Sequence, residues 1–199
     1  MTPTAILLLV AGIYFAFKSI PGGGSSAVDA PDAPDVIDGI TSQIGGIFAM
    51  NALNFSNAAV DLTQSYEGCS LVAYPDARGY SIGRGHFGAH KGDRIDQATA
   101  DAYFDEDLGS AASTVNGVVT VPLSQPQFDA LTDFCYNVGM GHFLSSTLLK
   151  MLNAGDYTGA ASQFGRWIYE VGEVSEDLIR RRRDETAIFL SGTSSDVAA

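Results

Sequence analysis

The distribution of apolar and polar residues divides the chain into a hydrophobic start, a glycine-rich acidic stretch and a long patterned region. The opening segment MTPTAILLLVAGIYFAF has no charged side chain before Lys18. As a helix, these seventeen residues would rise about 25 Å, slightly less than the roughly 30 Å hydrocarbon core of a bilayer. Residues 1–18 are therefore typical of a marginal membrane anchor or of a signal-peptide core. We favour an uncleaved anchor, because only the terminal amine supplies positive charge before the apolar run.

A flexible connection follows the hydrophobic start. The segment PGGGSSAVDAPDAPD combines glycine, serine, proline and aspartate, which is typical of an extended, acidic linker. Isoleucines then recur at helical spacing over residues 37–47, although nearby glycines weaken a helix. We expect residues 19–56 to form a flexible linker that can include a short helix, and residues 193–199 to form a disordered tail.

Between residues 57 and 192 the pattern predicts a small sheet followed by helices. The segment NAAVDLTQSYEG is typical of a helix that ends at Gly68, and LVAYPDARGYSIGRGHFG alternates apolar and polar residues between turn signals, as short antiparallel strands do. The predicted helix starts are Asp96, Ser124, Ser146, Thr158 and Ser175, and Gly192 is the predicted end of the last helix. A small sheet followed by helices is an α+β arrangement, which we expect to form two lobes around a binding cleft.

Composition and charge exclude several classes of function. The 11 basic and 23 acidic side chains give a formal net charge of −12, whereas a surface that binds nucleic acid must be basic. The only basic cluster, Arg180 to Arg183, is typical of a solvated helix face or of internal ion pairs. Cys69 and Cys135 are too few for a disulfide framework, and we expect both to be small core residues. The histidines lack zinc-ligand spacing, so we expect no metal and no other cofactor.

Three polar residues near the predicted sheet could perform chemistry on a glycosidic bond. Such hydrolysis needs one protonated carboxyl group and a second group that positions water. Glu67 lies at a predicted helix end, Asp76 follows a proline in a turn, and Ser81 lies on the next strand. Carboxylates nine positions apart are common in acidic chains, so this spacing alone favours an ordinary helix-end glutamate and turn aspartate.

The residues around these three carry a family resemblance. The motif comprises Glu67-Gly68, Ala73-Tyr74, Asp76, Gly79 and Ser81-Ile82-Gly83-Arg84-Gly85-His86. It resembles the phage-type lysozymes of glycoside hydrolase family 24. The resemblance continues through FDALTDFCYNVGMGHFLSSTLLKMLNAGDYTGAASQFGRWIY and LIRRRRDET. It implies a lysozyme-like, two-lobed catalytic domain over residues 57–192, with a small antiparallel sheet and a mostly helical lobe, preceded by the N-terminal hydrophobic helix.

The resemblance also implies roles for the three candidate catalytic residues. Glu67 would be the general acid, and Asp76 and Ser81 would orient the attacking water on the opposite face of the sugar, which gives inversion. The family usually has threonine where Ser81 stands. Serine lacks the methyl group that restricts the threonine rotamer, so we expect it to hold the water less firmly.

Six further residues receive binding or supporting roles from the resemblance. Asn137, Tyr136 and Phe87 would line the substrate cleft, although ordinary packing is an equal alternative for the two aromatic residues. His86 would pair with Asp107 as structural support. Arg181, with Arg180 as the alternative register, would approach the catalytic glutamate.

The implied function is a peptidoglycan muramidase that hydrolyses the β-1,4 link between N-acetylmuramic acid and N-acetylglucosamine. It would be a membrane-tethered phage endolysin or a virion-associated lysozyme, with its catalytic domain facing the periplasm and cell wall or lying on a virion membrane. Residues 1–18 resemble the signal-arrest segments of some phage endolysins, which leave the bilayer, but the roughly fifty residues between Phe17 and Glu67 favour a permanent tether. Its partners would be peptidoglycan, the membrane through residues 1–18, and other virion proteins in the second case. A lytic transglycosylase, or a catalytically weak structural or peptidoglycan-binding virion protein, stays open as an alternative.

Overall fold

A short helix leads directly into the sheet. The computed structural model describes residues 52–76, 79–170 and 172–192. Helix α1 (Asn57–Tyr66) begins after the N-cap Ser56, and Glu67 ends it in an extended conformation. The three antiparallel strands are β1 (Ser70–Asp76), β2 (Gly79–Gly83) and β3 (His86–Phe87), in that order across the sheet.

The register of the first hairpin brings two of the candidate catalytic residues together. Asp76 on β1 pairs with Gly79 on β2. Because side chains alternate along a strand, Ser81 lies on the same face as Gly79 and is a diagonal neighbour of Asp76. The following turn depends on Gly83 and Gly85, whose φ values of +65° and +98° favour glycine.

The remaining described elements are mostly helical. The helices are α2 (Gln97–Val118), α3 (Gln125–Val138), α4 (Met140–Ser145), α5 (Thr147–Asn153), α6 (Tyr157–Ala161) and α7 (Glu176–Ser191). A 3-10 turn at Phe164–Arg166 and a hairpin of β4 (Tyr169–Glu170) and β5 (Glu173–Val174) connect α6 to α7. The predicted N-caps Asp96, Ser146 and Ser175 are confirmed, since each side chain accepts a hydrogen bond from a backbone N–H in the first turn of its helix.

Helix α3 forms the centre of the core. It contacts α1, α2, α4 and α7, and every residue from 127 to 135 is buried. Phe128, Leu131 and Phe134 pack with apolar side chains from the surrounding helices, and each fully buried side chain of this kind contributes about 1.5–3 kcal/mol. The predicted α+β arrangement, with a small antiparallel sheet and mostly helical content, is confirmed for the described residues. The predicted N-terminal hydrophobic helix lies outside them.

Two predictions about single positions are wrong. Helix α6 has Asp156 as its N-cap, two residues before the predicted Thr158, because the Asp156 carboxylate accepts the Gly159 N–H at 2.7 Å. Cys69 is exposed, since it lies in the connection between α1 and β1, whereas Cys135 is buried as predicted. Both cysteines are free thiols.

Residues 52–56, which the sequence pattern assigns to the linker, lie against the helices. The Leu53 N–H and carbonyl bond to the Asn116 side chain on α2 at 3.3 and 2.8 Å. The Ser56 N–H and hydroxyl donate to the Asp129 carboxylate on α3 at 3.0 and 2.5 Å. The predicted anchor, the rest of the linker and the tail lie outside the described residues. Of the helices within the described ranges, none combines the length and apolar character needed to cross a membrane.

Candidate active site

An open cleft of about 580 Å³ brings together residues from the sheet, α2, α3 and the end of α1. Five of the predicted catalytic and binding residues line it: Glu67, Asp76, Phe87, Tyr136 and Asn137. The sixth, Ser81, is buried just below the surface and reaches the cleft through Asp76. The structure therefore gathers all six at one site.

Glu67 is held from two sides at the point where α1 ends. Its own N–H bonds to the Thr63 carbonyl, and its carbonyl accepts from Arg84 Nη1 at 3.1 Å. The side chain is 21% exposed, and its Oε1 lies 2.5 Å from Arg181 Nη1. The helix end, the turn after β2 and the last helix together fix this carboxyl group in the cleft wall.

Arg181 is a fixed cation rather than a mobile one. It is only 3% exposed, and it forms a bidentate pair with Asp133, with Nη2–Oδ1 at 2.7 Å and Nε–Oδ2 at 3.1 Å. Burial acts to raise the pKa of Asp133, but the adjacent Arg181 guanidinium lowers it below the ordinary aspartate value. Arg181 is therefore the arginine that lies next to Glu67, whereas the alternative Arg180 is exposed and pairs with Asp177.

The Asp76–Ser81 pair forms the second polar group of the cleft. The Ser81 hydroxyl donates to Asp76 Oδ2 at 2.7 Å, a contact that the diagonal register allows. Ser81 is buried, so packing restricts its side chain even without the threonine methyl group. A hydroxyl that donates its proton keeps its lone pairs as acceptors, and the pair can therefore bind one water molecule from two directions.

Residues of α3 also line the cleft. The Tyr136 hydroxyl donates to the Arg84 carbonyl at 2.6 Å, and burial raises the pKa of this phenol, which keeps it neutral. Asn137 Oδ1 accepts from Arg182 Nη2 at 2.8 Å. Phe87, by contrast, is 44% exposed and lines the same cleft from β3.

The expected contact between His86 and Asp107 is present. His86 Nδ1 lies 3.0 Å from Asp107 Oδ2, and both side chains are partly buried. The His86 ring also stacks on Tyr103 with centroids 4.0 Å apart and an interplanar angle of 16°. These contacts join β3 to α2.

Several residues around the site were not anticipated from the sequence. They are Arg84, Asp133, Arg182 and Glu185. One available signal was the spacing of Asp129, Asp133 and Asn137, which places polar residues four apart along a helix whose other buried residues are mostly apolar. A polar stripe inside a core helix requires partners, which are Arg181 and Arg182 of α7 for Asp133 and Asn137, and Ser56 for Asp129.

Comparisons with known proteins show which proteins this chain is similar to. A family model described as Phage lysozyme matches residues 64–185. The endolysin of Bacillus phage B103 is 38% identical over 151 residues, which cover 73% of this chain and 57% of that protein. The SAR-endolysin of Escherichia phage Mu is 42% identical over 96 residues, 48% of this chain and 56% of that protein. The chain thus spans less than three fifths of the Bacillus phage B103 and PZA endolysins that it matches.

Solved structures show the same similarity. The muramidase domain of SpmX from Asticaccaulis excentricus is 39% identical, with a TM-score of 0.63 over 69% of this chain and 97% of that one. A mutant P22 lysozyme is 34% identical, with a TM-score of 0.58 over 69% of this chain and 99% of that one. The described residues therefore adopt a lysozyme-like fold, and the chain belongs to the phage lysozyme family.

Proposed function

We propose that the chain is a muramidase that hydrolyses the β-1,4 link between N-acetylmuramic acid and N-acetylglucosamine in bacterial peptidoglycan. The observation that carries this proposal is the presence of Glu67 and the hydrogen-bonded Asp76–Ser81 pair in one open cleft. Membership of the phage lysozyme family supports it, as do the endolysin and muramidase names of relatives and structural neighbours.

Glu67 is proposed as the general acid. Arg181 Nη1 binds Oε1, so we assign the transferable proton to Oε2. Glu67 gives this proton to the glycosidic oxygen as the bond from that oxygen to the anomeric carbon breaks. The leaving sugar departs with a neutral hydroxyl group, and Glu67 becomes a carboxylate paired with a cation that is already in place.

Asp76 and Ser81 are proposed to hold and activate the water. Asp76 Oδ2 accepts a hydrogen bond from the Ser81 hydroxyl, and the Asp76 carboxylate takes one proton from the water, whose oxygen bonds to the anomeric carbon. Because the water attacks from the face opposite the leaving group, the configuration at that carbon inverts. In this scheme Phe87, Tyr136 and Asn137 bind the sugars, while His86–Asp107 and Arg181 support the site.

The test uses the full chain and purified peptidoglycan, with the soluble products weighed by mass spectrometry. Hydrated reducing ends at muramic acid are the expected result. Anhydro ends, lighter by one water, would instead identify a lytic transglycosylase. A chain that binds peptidoglycan and releases no fragments would identify a structural or binding protein.

Replacing Ser81 by alanine is expected to lower kcat roughly ten- to hundredfold. The substitution removes the hydrogen bond to the charged Asp76 and one of the two groups that bind the water. Ser81→Thr keeps the hydroxyl and is the matched control, for which we expect activity within about threefold of the wild type. Initial rates of peptidoglycan solubilisation measure both variants. Equal activity of the alanine and threonine variants would remove Ser81 from the mechanism.

We also propose a membrane-tethered organisation of the whole chain. Residues 1–18 would anchor it, residues 19–56 would link the anchor to a catalytic domain over 57–192, and 193–199 would form a tail. The uncharged opening segment and the SAR-endolysins of phages Mu and P21 among the relatives support this. The catalytic domain would then face the periplasm and cell wall, or lie on a virion membrane beside other virion proteins.

Carbonate extraction of membranes from expressing cells tests the tether. The full chain is expected in the membrane fraction, and a variant lacking residues 1–18 is expected in the soluble fraction. A full chain found mainly in the soluble fraction would exclude a permanent tether and leave the proposed hydrolysis untouched.

The net charge of −12 predicts that moderate salt raises activity on an anionic cell wall. Raising ionic strength from about 0.01 M to 0.15 M shortens the Debye length from about 30 Å to about 8 Å, which weakens the repulsion between enzyme and substrate. Solubilisation rates across this range provide the measurement, with an uncharged chitin oligosaccharide as control substrate. A rate on the cell wall that falls over the same range would contradict this electrostatic explanation.

A further inference from the structure

Arg182 is a buried arginine of α7 to which the proposed reaction scheme gives no role. Its side chain is 1% exposed, and the central carbon of its guanidinium group lies 4.9 Å from the centroid of the Phe134 ring on α3. Its Nη2 donates to Asn137 Oδ1 at 2.8 Å and lies 2.8 Å from Glu185 Oε1. Because a side chain buried this deeply cannot turn into solvent, the guanidinium group is a fixed donor next to Asn137.

The contact with Arg182 determines which way the Asn137 amide is turned. A guanidinium group has donors but no acceptor, so it can bond to the oxygen of an amide and not to its nitrogen. With Oδ1 on Arg182, Nδ2 lies on the other side of the amide carbon. Asn137 lines the cleft, and within the described ranges its Nδ2 has no hydrogen-bond partner and is not a buried atom. Two N–H donors are therefore available to a ligand.

The Asn137 amide lies where the cleft continues into a second cavity. This cavity has a volume of about 320 Å³ and shares Asn137, Val138 and His142 with the cleft. Trp167 and Tyr169 are among its further lining residues. A ligand that fills both the cleft and this cavity therefore passes the amide. Since Nδ2 is a donor, the group that it binds must be an acceptor, such as a carbonyl oxygen, and cannot be an ammonium group.

We propose that Arg182 is a positioning residue that turns the Asn137 amide so that its N–H groups bind the carbonyl oxygen of an N-acetyl group on the substrate. Both sugars of the proposed substrate carry an N-acetyl group, so this acceptor recurs at every sugar of the glycan. The stem peptides of peptidoglycan offer carbonyl groups of the same chemistry, whereas a chitin oligosaccharide has N-acetyl groups and no peptide. The direction of the amide stands on the structure alone, and the identity of the acceptor rests on the proposed function.

Asn137→Asp in the full chain tests the donor. Aspartate keeps the shape and an oxygen for Arg182, but it places a second oxygen where Nδ2 was, so a carbonyl group in the ligand loses its donor. We expect the Kd for a chitin oligosaccharide, measured by NMR titration, to rise roughly ten- to hundredfold. The matched control is Asn57→Asp, the same change in the exposed first turn of α1, for which we expect a Kd within about twofold of the wild type.

Three results of this titration would overturn the assignment of the N-acetyl group. They are a wild-type chain that does not bind the oligosaccharide, an equal Kd for the wild type and Asn137→Asp, and a loss of affinity confined to fragments that carry a stem peptide. The expected rise in Kd in a chain that does not cleave peptidoglycan would uphold the assignment and refute only the proposed hydrolysis.

A spectroscopic measurement tests the positioning by Arg182. In ¹⁵N-labelled protein, the Asn137 side-chain NH₂ signals are identified by their loss in Asn137→Asp, and they should shift when the chitin oligosaccharide is added. Arg182→Met keeps an unbranched side chain against Phe134 but has no donor, so we expect these signals to move in the free protein and the Kd to rise roughly tenfold. Unchanged Asn137 signals in folded Arg182→Met would overturn the positioning. Asn137→Asp keeps the Arg182 contact, so it tests the donor even if Arg182→Met does not fold.

Discussion

Replacing Glu67 by glutamine is expected to reduce peptidoglycan hydrolysis by roughly 10²–10⁴-fold, the range that a general acid supplies. Glutamine keeps the size of the side chain and an oxygen that can accept from Arg181 Nη1, but it has no proton to give to the leaving oxygen. KM should change little, because the cleft lining is otherwise intact. The measurement is the initial rate of peptidoglycan solubilisation under substrate excess.

The matched control is Glu106→Gln, which makes the same chemical change on the exposed surface of α2 and is expected to leave the rate within about twofold of the wild type. Thermal unfolding of both variants verifies that they are folded. If Glu67→Gln retained more than a tenth of the wild-type rate, the general acid would have to be another group in the cleft.

Replacing Asp133 by alanine is expected to destabilise the fold by about 3–5 kcal/mol, the usual effect of breaking a buried ion pair. The substitution removes the two Asp133 oxygens that accept from Arg181 and leaves a buried cation whose remaining carboxyl neighbours are Glu67 and Glu185. Urea unfolding followed by circular dichroism measures the change. The control Asp105→Ala on the exposed face of α2 should shift the unfolding free energy by about 0.5 kcal/mol or less.

The destabilisation caused by Asp133→Ala is expected to depend on pH. Burial acts to raise the pKa of Asp133, but Arg181 depresses it below the ordinary value. Its stabilising contribution is therefore fully present above the unfolded-state pKa of about 3.9 and is lost as the pH falls through the lower folded-state value. The stability difference between wild type and Asp133→Ala should shrink below about pH 4. A difference that grows on acidification would contradict the ion-pair account.

Local signals in the sequence predicted the framework well because they act within a few residues. Asp96, Ser146 and Ser175 cap helices through their own first turns, and such bonds need no tertiary context. The prediction of a helix start at Thr158 was wrong for an equally local reason, since Asp156, two residues earlier, caps the helix by accepting the Gly159 N–H. The prediction that Cys69 lies in the core was wrong because a small apolar residue can lie equally well in an exposed connection.

Long-range contacts at the site could be predicted only through the family resemblance. Glu67 and Arg181 are 114 positions apart, and no periodicity links them. The resemblance supplied that pair but gave no role to Asp133, whose contact with Arg181 depends on how α3 and α7 pack. Buried polar clusters of this kind are specified by tertiary geometry, so the sequence can show a polar stripe in a core helix but not its partners.

The most direct test of the central claim is the anomeric configuration of the newly formed reducing end. Proton NMR of a peptidoglycan oligosaccharide, recorded before mutarotation equilibrates the product, reports it. A water held by Asp76 and Ser81 opposite Glu67 predicts that the β link yields the α anomer first. Initial release of the β anomer would mean retention through an intermediate, and an anhydro product would mean that no water attacks. Either result would contradict the proposed roles of Asp76 and Ser81.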